Sequence, residues 1–180
     1  MNKIVAIVGM CGSGKSVASE LMIEKGYKRV YFGGVTMDKL KEKGLEVTPE
    51  NEKMMREKLR EDLGMGAFAK ILLPKIKELS EDNLVVLDGL YSWDEYKILS
   101  DEFKKQLVTI AIVCDKKIRY SRLKNREERP LTNSQARDRD LAEIENIAKA
   151  PPIAYADYYI FNNGTLDDYK SRLEEILKQI

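Results

Sequence analysis

The chain has 180 residues, enough for one domain with a buried core, and its 43% hydrophobic and 34% charged residues describe a globular rather than a disordered protein. Lys and Arg number 31 against 30 Asp and Glu, a net charge of +1 that gives no reason to expect nucleic acid or an anionic membrane as partner. There is no histidine, which excludes Ser-His and Cys-His nucleophilic pairs and His-ligated zinc; two cysteines, Cys11 and Cys114, fit a reduced, cytoplasmic protein.

The first element is an apolar strand over residues 3–8, read as a strand rather than a signal peptide, and no apolar run is long enough for a membrane span. Immediately after it, Gly9-Met10-Cys11-Gly12-Ser13-Gly14-Lys15-Ser16 matches G-x-x-x-x-G-K-[ST] in full, with a helical pattern following as far as Gly26. Glycines let consecutive backbone N–H groups curl toward anionic oxygens, and the helix start at Lys15, Ser16 and Val17 adds unpaired N–H groups and a positive dipole end. Lys15 supplies charge for the β- and γ-phosphates of ATP, and Ser16 a hydroxyl for Mg²⁺.

A second strand is expected over 29–32. Residues 33–76 then hold two or three helices, more than one crossover needs, with a stop at Gly44 and a Thr48-Pro49 start. A third strand over 84–87 runs into Asp88-Gly89. An acid at the carboxyl end of a parallel strand faces the ligand crevice, where Asp88 orients Mg²⁺ through water or accepts a proton; the alternative is an aspartate that caps a turn. Ser92 with Glu95 has capping-box spacing.

After a fourth strand over 107–113, Arg119, Arg122 and Arg126 fall at i, i+3 and i+7 and are expected on one helix face. A polar excursion over 127–152 follows, with Thr132 and Gln135 as a second capping box and Arg137 and Arg139 within it. It is a candidate lid, and its arginines suit charge on a migrating phosphoryl group. The competing reading is a solvated face balanced by Glu127, Glu128, Asp138 and Asp140. A fifth strand spans 158–161, and the last helix aligns Leu166, Tyr169, Leu173, Ile176, Leu177 and Ile180 as a core stripe. Alternating strands and helices with nearly all-apolar strands predict an α/β doubly wound sheet of about five parallel strands.

The ordered set of the phosphate loop, Asp88-Gly89, Arg122-Leu123 with Arg126, and Arg139-Asp140 resembles the P-loop nucleotide kinases: adenylate, cytidylate and dephospho-CoA kinases. The stretch "ADYYIFNNGTLDDY" is similar to the tail of dephospho-CoA kinases, and the likeness is strongest to an archaeal group related to adenylate kinase. The resemblance covers almost the whole chain. It implies strand order 2-3-1-4-5 with helices on both faces, in a single domain over 1–180 with an acceptor-binding insertion at about 33–76 and a lid at about 127–150. It implies Gly12, Ser13, Gly14, Lys15, Ser16 and Val17 on the ATP phosphates, Arg122 and Arg126 beside the donor, Asn163 and Gly164 near its adenine, and Arg139 from the lid. Lys15, Asp88, Arg126 and Arg139 are the implied catalytic residues, with Ser16 and Asp88 at Mg²⁺.

The acceptor side departs from that pattern. The related group reads G-D-V-V-R where this chain has Gly33-Gly34-Val35-Thr36-Met37, and it places an arginine where Tyr91 stands. Gly34, Thr36, Arg60, Gly89 and Tyr91 are left as the acceptor-binding candidates, Arg60 foremost. The reading is ATP-dependent phosphoryl transfer to a nucleoside monophosphate, AMP preferred. Dephospho-CoA is the alternative acceptor, and a nucleotide-binding switch or ATPase without a small-molecule acceptor the alternative class.

Overall fold

Strand β1 (Ile4–Val8) is buried along its whole length because both faces of the sheet are covered. Ile4, Ala6 and Val8 enter one apolar layer, and Val5 and Ile7 the other, as the two-residue period of a strand requires. The computed structural model describes residues 2–127 and 129–180; Met1 and Glu128, one of the acids expected in the polar excursion, lie outside the described residues.

The order is β1, α1 (Lys15–Glu24), β2 (Lys28–Tyr31), α2 (Phe32–Glu42), α3 (Pro49–Leu63), α4 (Ala67–Asp82), β3 (Val85–Asp88), α5 (Trp93–Phe103) and, after a short 3₁₀ turn, β4 (Leu107–Val113). Then come α6 (Lys116–Asn125), α7 (Asn133–Glu145), α8 (Ala150–Ala154), β5 (Tyr158–Phe161) and α9 (Leu166–Leu177). The five strands are parallel in the order β2-β3-β1-β4-β5, as expected. Helices α2 to α5 cover one face, with Phe32, Leu40, Met55, Ile76 and Leu99 at its core. Helices α1 and α9 cover the other, through Ala18, Met22, Tyr169, Leu173 and Ile176.

The strands are offset by a residue at β1, β2 and β3 from the sequence reading, and the α9 stripe loses one member. Pairing of β2 with β3 ends at Tyr31 opposite Asp88, so Phe32 has no ladder partner and opens α2 with its ring in the core. Leu84 precedes β3 and is 39% exposed, while Asp88 is itself a strand residue. Leu166 leaves the α9 stripe: it directly follows the Thr165 cap, one turn before the stripe reaches the core, and is 53% exposed. Thr165 and Asp168 form a capping box that the stripe obscured.

The other expected caps are present. Thr48 Oγ1 accepts from Asn51 N, and Gly26 and Gly44 follow their helices with positive φ. At the head of α5, Ser92 Oγ accepts from Glu95 N at 3.1 Å while Glu95 Oε2 accepts from Ser92 N at 3.0 Å. Ser92 is fully buried and also donates to Met65 O, tying α5 to the turn before α4. Ser92→Ala is therefore expected to lower unfolding free energy by about 1–2 kcal/mol; urea unfolding checks it, and an unchanged midpoint contradicts it.

Candidate active site

The crevice lies at the carboxyl ends of the strands, where the loop after β1 curls under the start of α1. Gly12 and Gly14 have φ of 79° and 103°, conformations that favour glycine. A Cβ on Gly14 would stand 2.3 Å from Asn162 Nδ2, so the loop closes around a side chain from the far end of the sheet.

The loop's outward carbonyls are bound one by one. Lys15 Nζ donates to Met10 O at 3.0 Å, Arg119 Nη1 to Cys11 O at 2.9 Å, Asn162 Nδ2 to Ser13 O at 2.8 Å, and Tyr169 OH to Gly14 O at 2.9 Å. Ser13 N also donates to Met10 O at 3.2 Å, closing the turn within the loop. Helix α1 begins with no side-chain cap and no acid in its first turn. That is the arrangement of a built anion site. Ser16 is exposed at the head of α1, so its hydroxyl is available to a cation held between nucleotide oxygens. The chain's residues fit ATP with Mg²⁺ at this place.

Lys15 is brought down to about 7 from its usual range, first by burial and then by the positive charge of Lys149. Burial alone pushes the Tyr169 phenol up.

Helix α7 is tied to this loop through Arg119. Arg119 and Asp140 form a bidentate pair at 3.0 and 2.6 Å, both nearly buried, and Tyr120 OH donates to the same carboxylate. Desolvation opposes the Arg119 charge, yet Asp140 outweighs it and holds the guanidinium above its ordinary range. The pairing turns Arg119 from a candidate phosphate ligand into the strut between α7 and the loop. Arg139, one residue before Asp140, pairs with Glu143 and lies near Cys11 and Tyr91.

Arg126 departs from the expected common face. Helix α6 ends at Asn125, Arg126 has extended backbone, and its Nε donates to Arg129 O at 2.6 Å rather than to the loop. Arg122 stays on the donor side, reaching Cys114 Sγ and Asn162 Oδ1. Asn163 Oδ1 accepts from Asp115 N, so Asn163 and Gly164 sit on the rim between β5 and α6, beside Arg122. The asparagine that touches the phosphate loop is Asn162, its neighbour.

On the opposite side, Asp88 is not free: Arg29 of β2 donates to it at 2.5 Å while lying 4.7 Å from the Tyr31 ring centre. Across the pleat, Arg60 of α3 packs over Phe68 at 5.1 Å. Among the described residues it makes no ion pair within 4.0 Å, and its Nε is buried without a hydrogen-bond partner. Burial lowers the Arg60 guanidinium from its usual range. Thr36 is buried with an unpartnered hydroxyl, Gly34 abuts the Tyr31 ring, and Gly89 abuts Tyr91. Glu52 of α3 is clasped by Arg129 and Arg56; burial opposes its charge, but Arg129 and then Arg56 prevail and hold the carboxyl below the usual range. The Glu52–Arg129 contact joins α3 to the segment between α6 and α7.

Sequence reasoning missed Arg29, Asn162, Tyr169, Glu143 and Lys149. Only Asn162 had a local signal, the Asn-Asn-Gly after β5; the others are placed by packing.

Among the described residues no helix is long and apolar enough to cross a membrane, and no group of three or more acids or cysteines gathers as a metal cluster. A family profile described as an AAA domain matches residues 5–144. A UPF0200 protein of Sulfurisphaera tokodaii is 37% identical over 99% of this chain and 97% of its own length, and one of Pyrococcus furiosus is 34% identical over 98% and 97%. Among solved structures, TT1252 from Thermus thermophilus superposes with a TM-score of 0.66 at 19% identity, covering 99% of this chain and 98% of that one. Shikimate kinase from Bacteroides thetaiotaomicron gives 0.62 at 14%, covering 98% of each. The fold is thus that of P-loop kinases, and with its intact phosphate loop the chain belongs to the UPF0200 family of AAA-domain, P-loop proteins.

Proposed function

We propose that the protein is an ATP-dependent phosphotransferase that passes the γ-phosphoryl group to a nucleoside monophosphate, with AMP the preferred acceptor. The observation that carries this reading is the pairing of a braced phosphate cradle with a second cation, Arg60, that is half-buried and has no carboxylate partner within 4.0 Å among the described residues. Its guanidinium is desolvated and is met by the charge of the buried Glu95 from beyond ion-pair distance, which leaves its hydrogen-bonding face for an anion.

In this reading Gly12, Ser13, Gly14, Lys15, Ser16 and Val17 hold the triphosphate, and Arg122 with Asn163 and Gly164 flanks the donor base. Lys15 balances charge on the β- and γ-oxygens and Arg139 approaches the migrating group from the lid. Ser16 and Asp88 would hold Mg²⁺, which would supply positive charge against the phosphate oxygens. Arg60, with Thr36, Gly34, Gly89 and Tyr91, receives the acceptor. Closure of α7 on the loop keeps water, a competing acceptor, away. Asn162 of the dephospho-CoA-like tail serves the phosphate loop, so that tail carries no preference for dephospho-CoA over AMP.

A coupled assay with ATP, Mg²⁺ and a panel of nucleoside monophosphates and dephospho-CoA tests the proposal. AMP-dependent ADP formation is expected; ADP release that is the same with and without every acceptor rejects it. The second reading, an ATPase or nucleotide switch, is favoured by one observation: Asp88 is already engaged by Arg29 rather than facing the crevice unpaired.

A further inference from the structure

No sequence pattern singles out Lys149, yet it is only 2% exposed. Lysines ordinarily carry their ammonium out to water along an apolar stem. This one points inward. Its Nζ donates to Glu143 Oε2 at 2.6 Å and lies 4.7 Å from the centre of the Tyr91 ring. The backbone is set up to hold it there. Its N–H donates to Glu143 O at 3.1 Å, and Ala148 before it has φ 49°, a left-handed conformation that disfavours a non-glycine residue. Lys149 itself caps the short α8, whose first turn holds Pro151 and Pro152. Observed backbone strain of this kind marks a segment whose position matters.

A Lys149–Glu143 pair that merely closed the turn from α7 to α8 would be neutral in itself. Here Glu143 is shared with Arg139, at 3.1 Å, and the Lys149 charge reaches Lys15 of the phosphate loop. Asp88, the nearby acid, is matched by Arg29. Lys15, Lys149 and Arg139 therefore converge around one shared carboxylate. Lys149 is enclosed while Arg139 stands at the exposed edge of the group, so a multiply charged anion entering from that edge would meet both cations. An ammonium has three N–H donors. Glu143 takes one and the Tyr91 face steadies the charge, which leaves donors for a phosphate oxygen.

We propose that Lys149 is an acceptor-side phosphate ligand: aimed by Tyr91 and Glu143, its ammonium binds the monophosphate of the acceptor, facing Lys15 on the donor triphosphate. The proposal rests on the transferase reading for what the monophosphate is, but its geometry needs only a phosphomonoester. Tyr91, at a position where a direct phosphate contact is expected, acts as the platform under the charge. Lys149 makes and breaks no covalent bond.

The test is equilibrium binding of AMP, CMP, GMP, UMP and inorganic phosphate to the ADP-loaded protein, with ATP binding to the free protein measured alongside. The wild type is expected to bind at least one monophosphate. Lys149→Met should weaken that binding about ten-fold, with ATP bound as well as before or more tightly, and Lys149→Arg should stay within about three-fold of wild type by the same charge argument. The proposal is overturned if Lys149→Met binds every monophosphate as the wild type does, if it loses ATP to the same degree, or if the wild type binds no monophosphate. Should Lys149→Met fail to fold, the side-chain resonance of Lys149 in ¹⁵N-lysine-labelled wild type decides: it must shift on addition of the bound monophosphate, and an unmoved signal counts against the assignment. Failure of the transferase reading is seen separately. Monophosphate binding that depends on Lys149 without phosphoryl transfer removes the activity and leaves the ligand; transfer that is indifferent to Lys149 does the reverse.

Discussion

Lys15→Met is expected to lower affinity for ATP by about a hundredfold or more while raising the thermal stability of the free protein. The first effect follows from losing charge-assisted hydrogen bonds to two phosphates, together about 3 kcal/mol. The second follows from the lysine's surroundings. Burial and the Lys149 charge bring Lys15 down to about 7 when no phosphate is present. A lysine that titrates lower in the folded than in the unfolded chain costs stability. The cost is full below about pH 7 and fades as pH rises toward the unfolded value near 10.5. The wild type should gain stability over that window, and Lys15→Met should not. Phosphates restore the charge, so binding draws in a proton. At pH 8 in metal-free buffer, ATP binding should take up close to one proton, approximately, and affinity should fall as pH rises from about 7 to 10. Calorimetry in buffers of different ionisation heat measures the uptake. Buffer-independent heats at pH 8, or an unaltered ATP affinity in Lys15→Met, refute the assignment.

Asp140→Ala is expected to cost about 3 kcal/mol of stability, a Tm lower by roughly 6–12 °C for a domain of this size. Arg119 and Asp140 are each under about a tenth exposed and meet in two hydrogen bonds. Removing the acid leaves Arg119 charged, enclosed and half-partnered, and frees the Tyr120 hydroxyl. Because the same guanidinium holds Cys11 O, the damage reaches the phosphate loop, and ATP affinity should drop with Tm. Arg119→Met combined with Asp140→Leu should recover a good part of the stability, since no orphaned charge remains, but not the ATP affinity. Thermal unfolding and ATP titration of the two single variants and the double variant form the cycle. A Tm shift of only about one degree in Asp140→Ala would show that the pair is worth no more than a surface bridge.

The sheet was legible from the chain alone because its strands are short, apolar and regularly separated by helices with readable caps at Thr48, Ser92 and Thr132. Phe32 and Leu84 were misassigned because an apolar residue beside a strand looks like part of it until ladder partners are known. In the site, the phosphate loop was readable because its residues are contiguous and each has a local reason to be there. Arg126 was misjudged for the opposite reason: a spacing of seven from Arg119 implies a shared face only while the helix lasts, and α6 stops at Asn125. The struts, Arg119 with Asp140, Asn162 and Tyr169, and the counter-charges Arg29 and Glu143, are ordinary side chains in sequence. Their roles come from which strand lies beside which.

The brace on the phosphate loop has a consequence for how the protein comes into being. The loop is made within the first tenth of the chain, yet Asn162 of the β5–α9 loop and Tyr169 of α9 hold two of its carbonyls. A nascent chain emerging from the ribosome carries the complete nucleotide motif long before those supports exist. If the loop holds ATP as proposed, its grip is expected only after Asn162 and Tyr169 have been made. Ribosome-arrested chains ending before Asn162 should retain no ATP, whereas chains extended past Tyr169 should.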